Sequence, residues 1–182
     1  MSAVTPSGAG PELRPSLSGM LRSPHQLLAL SFGLGLSRIA PGTMGSIGGI
    51  ALFAALAQVP LPVRAALYVI LIAAASWAAT RTGNDLNRHD HNSIVIDETI
   101  GMSLTLEAAP LSAEAIVLAF LLFRLFDVWK PWPVYLPDRH GKSGLAVIGD
   151  DILAAGWAAA VLAGAALGIS GLMMQTFFRN PL

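Results

Sequence analysis

Cysteine is absent from this chain, so it has no disulfide framework, no thiolate metal site and no cysteine nucleophile. Charge is scarce as well. Asp, Glu, Lys and Arg make up 12% of the 182 residues, whereas a soluble domain carries about 25%. The 11 basic and 11 acidic residues cancel, which leaves no net field to draw in nucleic acid. Any function that uses charge must therefore be local. The first 24 residues lack the basic, apolar and small-residue order of a signal peptide. Their Pro, Ser and Gly content predicts a flexible polar tail over 1–24, followed by a single domain over 25–178 and a short tail at 179–182.

What the chain has in excess is apolar surface, with 54% hydrophobic residues and a mean hydropathy of +0.62. A domain this short leaves much of its surface exposed, so a bilayer is the easier solvent for it. Stretches 39–63, 65–80 and 152–178 contain no charged residue, and a spanning helix needs about 20 mostly apolar residues. Residues 99–126 hold two apolar runs, Thr99–Leu106 and Ala115–Phe123, around Glu107, Pro110 and Glu114. Proline breaks a helix and glutamate at bilayer depth is costly, so a helical hairpin is expected there. The expected fold is all-α, a multi-helix integral membrane bundle with about four to five membrane-embedded helices. A soluble helical bundle with an apolar surface is the alternative.

Two crossings separate each polar segment from the next, which puts 1–38, 81–98 and 127–151 on one side. That side carries Arg14, Arg22, Arg38, Arg81, Arg88, Arg124, Lys130, Arg139 and Lys142, against Arg64 and Arg179 on the other. Positive-inside bias makes the richer side cytoplasmic.

Five carboxylates sit beside apolar runs on that side: Asp97 and Glu98 before Thr99, Asp127 after Phe126, and Asp150 and Asp151 before Ile152. Capping at a helix start accounts for each acidic pair taken alone. Three such sites at one interface also form the set of hard oxygen ligands that Mg²⁺ requires. Arg124, Asp127 and Lys130 are spaced three apart and share a helical face, and Pro131 ends that helix with Lys130 at its C-terminus. Either an intrahelical salt bridge with a basic cap, or an acid held between two groups able to neutralise phosphate oxygens, fits this spacing. The turn from Ser37 to Ser46, with Gly42, Thr43 and Gly45, feeds a helix and offers amide groups to an anion; packing and capping are its ordinary uses. The run His89-Asp90-His91-Asn92-Ser93 predicts a loop with at most one histidine near a site.

In order, the blocks Ser37…Pro41-Gly42-Thr43-Met44-Gly45-Ser46, His89-Asp90-His91…Asp97-Glu98…Gly101-Met102, Phe123-Arg124…Asp127…Lys130-Pro131…Pro133 and Asp150-Asp151…Ala154…Gly156 resemble the phosphatidylglycerophosphatase A family. The resemblance runs from about Leu28 to Gly156, and four blocks in order make it specific. It implies Mg²⁺-dependent removal of phosphate from the phospholipid phosphatidylglycerophosphate, by an all-helical enzyme of the bacterial inner membrane working among membrane lipids on the cytoplasmic side. Asp97, Glu98, Asp127, Asp150 and Asp151 would hold metal, with Arg124 and Lys130 completing the catalytic set. Arg38, Gly42, Thr43, Gly45, Ser46 and His91 would bind substrate.

Other classes fit less well. A histidine-nucleophile lipid phosphatase needs Pro-Ser-Gly-His, and here Pro6-Ser7-Gly8 leads to Ala9. A CDP-alcohol phosphotransferase needs an Asp-Gly-x-x-Ala-Arg run, which is absent. A non-enzymatic transporter would carry ionisable groups within its spans, and these spans have almost none. The residues fix no oligomeric state.

Overall fold

The protein is described by a computed structural model, over residues 13–136 and 144–179. Among the described residues seven α-helices follow in order: α1 (Leu17–Arg22), α2 (Pro24–Ala29), α3 (Pro41–Leu56), α4 (Leu61–Asp85), α5 (Ile96–Leu106), α6 (Ala113–Trp129) and α7 (Gly144–Arg179), with a 3₁₀ segment at Ser31–Leu36 between α2 and α3. There is no strand among the described residues. Local chemistry sets most of the starts. Proline opens α2, α3 and α4, where its missing N–H costs nothing. Ser16 accepts from Gly19 N–H to cap α1, and Ser112 accepts from Ala115 N–H to cap α6.

Pro110 lies in the break between α5 and α6, so residues 99–126 form the predicted hairpin. Glu107 at its bend is not left alone in apolar surroundings: its carboxylate pairs with Arg64 at 2.8 Å and accepts from the Tyr68 hydroxyl at 3.0 Å. The Tyr68 hydroxyl also meets Ser103 at 2.7 Å.

Residues 13–24 correct the predicted tail. Leu13 N–H donates to the Leu86 carbonyl, and Met20, 2% exposed, sits in a core cluster with Ala29, Leu30, Ala75 and Ala78. The Ser16 cap and one long apolar side chain outweigh a Pro/Ser-rich composition. Residues 1–12 and 180–182, and the cytoplasmic candidates Arg139 and Lys142, lie outside the described residues.

Among the described residues two stretches are long and apolar enough to cross a membrane, Leu61–Asp85 and Gly144–Gly168. α4 turns Val69, Ile70 and Trp77 outward, a surface suited to lipid rather than water. Length and composition thus point to membrane association. α5, with 11 residues, reaches only about 16 Å at 1.5 Å per residue and cannot cross alone.

The most extensive helix packing among the described residues is between α3 and α5. A Cβ on Gly45 would lie 2.8 Å from the Val95 carbonyl oxygen, and one on Gly49 would lie 2.6 Å from the Thr99 carbonyl oxygen and 2.7 Å from Met102 Cβ. Thr99 adds a cross-helix hydrogen bond from its hydroxyl to the Gly45 carbonyl at 3.0 Å. Small residues allow this approach, which sets the starts of α3 and α5 side by side. The end of α6 and the start of α7 join them through Arg124 and Lys130.

Gly49→Ala is expected to destabilise the detergent-solubilised protein by about 1–3 kcal/mol through overpacking. Gly164→Ala on α7, where a Cβ meets nothing within 4 Å, should leave the thermal unfolding midpoint unchanged or slightly raised. Equal midpoints for the two variants would contradict the proposed α3–α5 contact.

Candidate active site

Three helix ends and one loop line a polar cavity of about 290 Å³. The first turn of α5 supplies Asp97 and Glu98, the last turn of α6 supplies Arg124 and Asp127, and Lys130 follows as its C-cap. Asp150 and Asp151 come from α7, and Asp90 comes from the loop before α5. Pro131 explains the position of Lys130: the helix cannot continue, and Lys130 turns into the left-handed region at φ 46°.

The acids are buried, with Asp97 8%, Asp150 7% and Asp151 3% exposed. Asp97, Glu98 and Asp151 each offer an oxygen such that all three lie within 4.8 Å of one another. Burial, together with the neighbouring charge of Glu98, pushes the Asp97 carboxyl well above the usual range. Burial also pushes Glu98 up, even though Arg124 nearby favours its charged form. The position of both at the start of α5 brings them the positive end of the helix dipole, which offsets part of this.

Basic groups take the other two acids. Arg124 pairs with Asp127, one helical turn on, and its Nη1 stands 4.0 Å from Glu98. Lys130 pairs with Asp150. What is left over is informative: Glu98 Oε2 and Asp151 Oδ2 are buried without a hydrogen-bond partner. Buried oxygens of this kind are costly unless something satisfies them, and a hard divalent cation fits three converging carboxylates. The donor set is all oxygen, which suits Mg²⁺ or Mn²⁺.

All seven catalytic candidates, Asp97, Glu98, Arg124, Asp127, Lys130, Asp150 and Asp151, thus line one cavity. Among the described residues the three-carboxylate group leaves out Asp127 and Asp150, which the five-acid metal set had included; Asp127 pairs with Arg124 and Asp150 with Lys130. The substrate-binding candidates divide. Gly42 faces the site so closely that a Cβ there would overlap Glu98 and lie 3.2 Å from Arg124 Nη1. Gly45 packs on Val95 and on Glu98 Cβ. Thr43 is half-buried in the first turn of α3. Ser46 is turned away from the cavity: it is fully buried, and its hydroxyl donates to the Gly42 carbonyl at 3.0 Å. Arg38 and His91 line a different cleft, of about 860 Å³, together with Arg14 and Arg88. Asp90 was missed. Its one signal in the sequence is an acid in a short polar loop ahead of Asp97-Glu98, and nothing local distinguishes that from a solvated charge.

Residues 27–166 match the family described as Phosphatidylglycerophosphatase A. The chain is similar to the protein of that name from Escherichia coli strain K12, at 38% identity over 143 residues, covering 78% of this chain and 83% of the relative. It is similar also to the protein of that name from Haemophilus influenzae, at 40% identity over 147 residues, covering 78% and 88%. A Bacteroides thetaiotaomicron relative, provisionally named a phosphatidylinositol-3-phosphatase, is 37% identical over 136 residues, covering 70% and 84%. No solved structure matches the chain.

Three buried, repelling carboxylates should weaken the metal-free fold. In EDTA, Asp97→Asn is expected to raise the thermal unfolding midpoint, by about 2–4 °C for each kcal/mol of repulsion relieved. A lowered midpoint under those conditions would show instead that the carboxylate is held by favourable contacts.

Proposed function

Because this chain belongs to the phosphatidylglycerophosphatase A family, we propose that it hydrolyses phosphatidylglycerophosphate to phosphatidylglycerol and orthophosphate, with Mg²⁺ at Asp97, Glu98 and Asp151. The observation that carries the metal assignment is the convergence of those three carboxylates within 4.8 Å, two of them with a buried, unpartnered oxygen. When bound, Mg²⁺ supplies Lewis-acid polarisation of the phosphoryl group and acidifies the attacking water.

The rest of the chemistry falls to the chain. Arg124 meets the phosphoryl oxygens with its planar fork, and Lys130 meets them as a point charge. Together they neutralise charge that builds on the transferring group. Asp127 and Asp150, paired with them, hold each cation in position. The start of α3, where Gly42 touches Glu98 and Arg124, leaves only a glycine's width beside the guanidinium and presents amide groups to an anion. Water attacks phosphorus in line with the glycerol oxygen, the P–O bond to that oxygen breaks, and the glycerol oxygen takes a proton from solvent.

In the same reading the cavity lies at the cytoplasmic face of a bacterial inner membrane, and α3 to α7 are the about four to five embedded helices. The excess of Arg and Lys at that end supports this orientation, as does the neutralisation of Arg64 by Glu107 at the other. A site at the interface suits a lipid whose tails stay in the bilayer. The name of the Bacteroides relative favours a second reading, in which the headgroup is a phosphorylated inositol.

Phosphate release by the purified protein in detergent tests the proposal. Release from phosphatidylglycerophosphate should require Mg²⁺, stop with EDTA, and fall about 10²–10³-fold in Arg124→Ala and at least about 10²-fold in Asp127→Asn, with both variants folded. Indifference to EDTA would defeat the metal assignment. Release from phosphatidylinositol 3-phosphate alone would favour the second headgroup.

A further inference from the structure

The cleft beside the carboxylate cavity has the opposite polarity. Arg14 arrives from the segment before α1, Arg38 from the turn before α3 and Arg88 from the loop after α4. Ser37, His91 and Asn92 complete its polar wall, and its volume is about 860 Å³. Three arginines from three separate segments line one cleft, an arrangement suited to an anion. Arg22 and Arg81, on the same end of the molecule, are not part of it.

The cleft and the cavity share walls. Pro41 lines the cleft, while the next residue, Gly42, touches Glu98 and Arg124 of the cavity. Asp90 lines the cavity, while the next residue, His91, lines the cleft. One Cα step is about 3.8 Å, so at two places the two sites are separated by the thickness of the backbone.

The rim is apolar. Leu17 and Leu36 line the cleft, and in the segment that carries Arg38 the side chains of Phe32 and Ile39 are 75% and 83% exposed. Phe32 holds this exposure in the left-handed region, at φ 57°, a strained conformation for an aromatic residue. Basic groups with apolar neighbours match a lipid headgroup rather than a free ion.

We infer that this cleft binds the phosphodiester group of an anionic glycerophospholipid. Such a group reaches the cleft from one of two sources. It is either the diester of the substrate itself, whose terminal phosphate occupies the adjacent cavity, or the diester of a separate anionic lipid beside it. The first source rests on the function proposed above; binding at the cleft does not.

The test uses the full chain in detergent and needs no turnover. Phosphatidylglycerol added to the micelles should raise the thermal unfolding midpoint by about 5 °C, whereas phosphatidylcholine should not. The shift should vanish in the Arg14→Ala, Arg38→Ala double variant and persist in Arg22→Ala, which removes the same kind of charge outside the cleft. Arg38→Lys, which keeps the charge, should retain part of it. A shift unchanged in the double variant, or lost equally in Arg22→Ala, overturns the inference. So does an equal shift with inorganic phosphate that the double variant loses, since the cleft would then take free phosphate.

Kinetics with phosphatidylglycerophosphate separate the two sources. If the substrate's own diester binds there, the double variant raises KM about tenfold at unchanged kcat and weakens competitive inhibition by phosphatidylglycerol to the same extent. If a separate lipid binds there, phosphatidylglycerol changes kcat without competing, and the double variant abolishes that change. Absence of phosphate release by the wild type would defeat the proposed function while leaving the midpoint shift to decide the cleft.

Discussion

Three carboxylates that must stay within 4.8 Å of one another impose a constraint on everything near them. Asp97 and Asp151 are buried and Glu98 is half-buried, and each raises the cost of ionising the next. Helix starts under Asp97 and Glu98 contribute positive potential, and Arg124 and Lys130 neutralise the two further acids that would otherwise add to the repulsion. The geometry is held from behind by packing. α5 cannot drift from α3, because Gly45 and Gly49 bring the two backbones into contact and Thr99 ties them by a hydrogen bond. Gly101 plays a similar part on another face of α5, where a Cβ would meet the Phe123 ring at 2.7 Å and the Asp151 carbonyl oxygen at 3.1 Å.

The two ends of the bundle handle charge differently. At the cavity end, acids outnumber the cations that face them, and buried oxygens are left for something else to satisfy. At the far end, Arg64, Glu107, Tyr68 and Ser103 form a network in which the Glu107 carboxylate meets both a guanidinium and a hydroxyl, although Arg64 Nε is buried without a hydrogen-bond partner. Glutamate at the hairpin bend is tolerable because its partner comes from the start of α4.

The sequence by itself determined the helical class, the hairpin around Pro110, the end of α6 at Lys130, and the list of acids and bases with chemistry to offer. Those features depend on residues close along the chain: a proline ring that cannot continue a helix, a three-residue spacing that shares a face, an apolar run of given length. Membership of the family was legible for the same reason, since its polar blocks are local and stand in order.

Only the tertiary structure decided which of those groups meet. That Asp127 and Asp150 each pair closely with a cation, while Glu98 stands 4.0 Å from Arg124 and converges with Asp97 and Asp151, depends on how α5, α6 and α7 pack. The departure of Arg38 and His91 into a second cleft, the arrival of Asp90 in the first, and the burial of Ser46 against its own helix are likewise set by contacts between distant segments. Met20 shows the same limit at the N-terminal side: a polar composition predicts a tail, and one buried side chain docked among α2 and α4 residues makes a helix of it. Spacing along a chain fixes which face of a helix a residue occupies, but the neighbour of that face is fixed by close packing of the whole bundle.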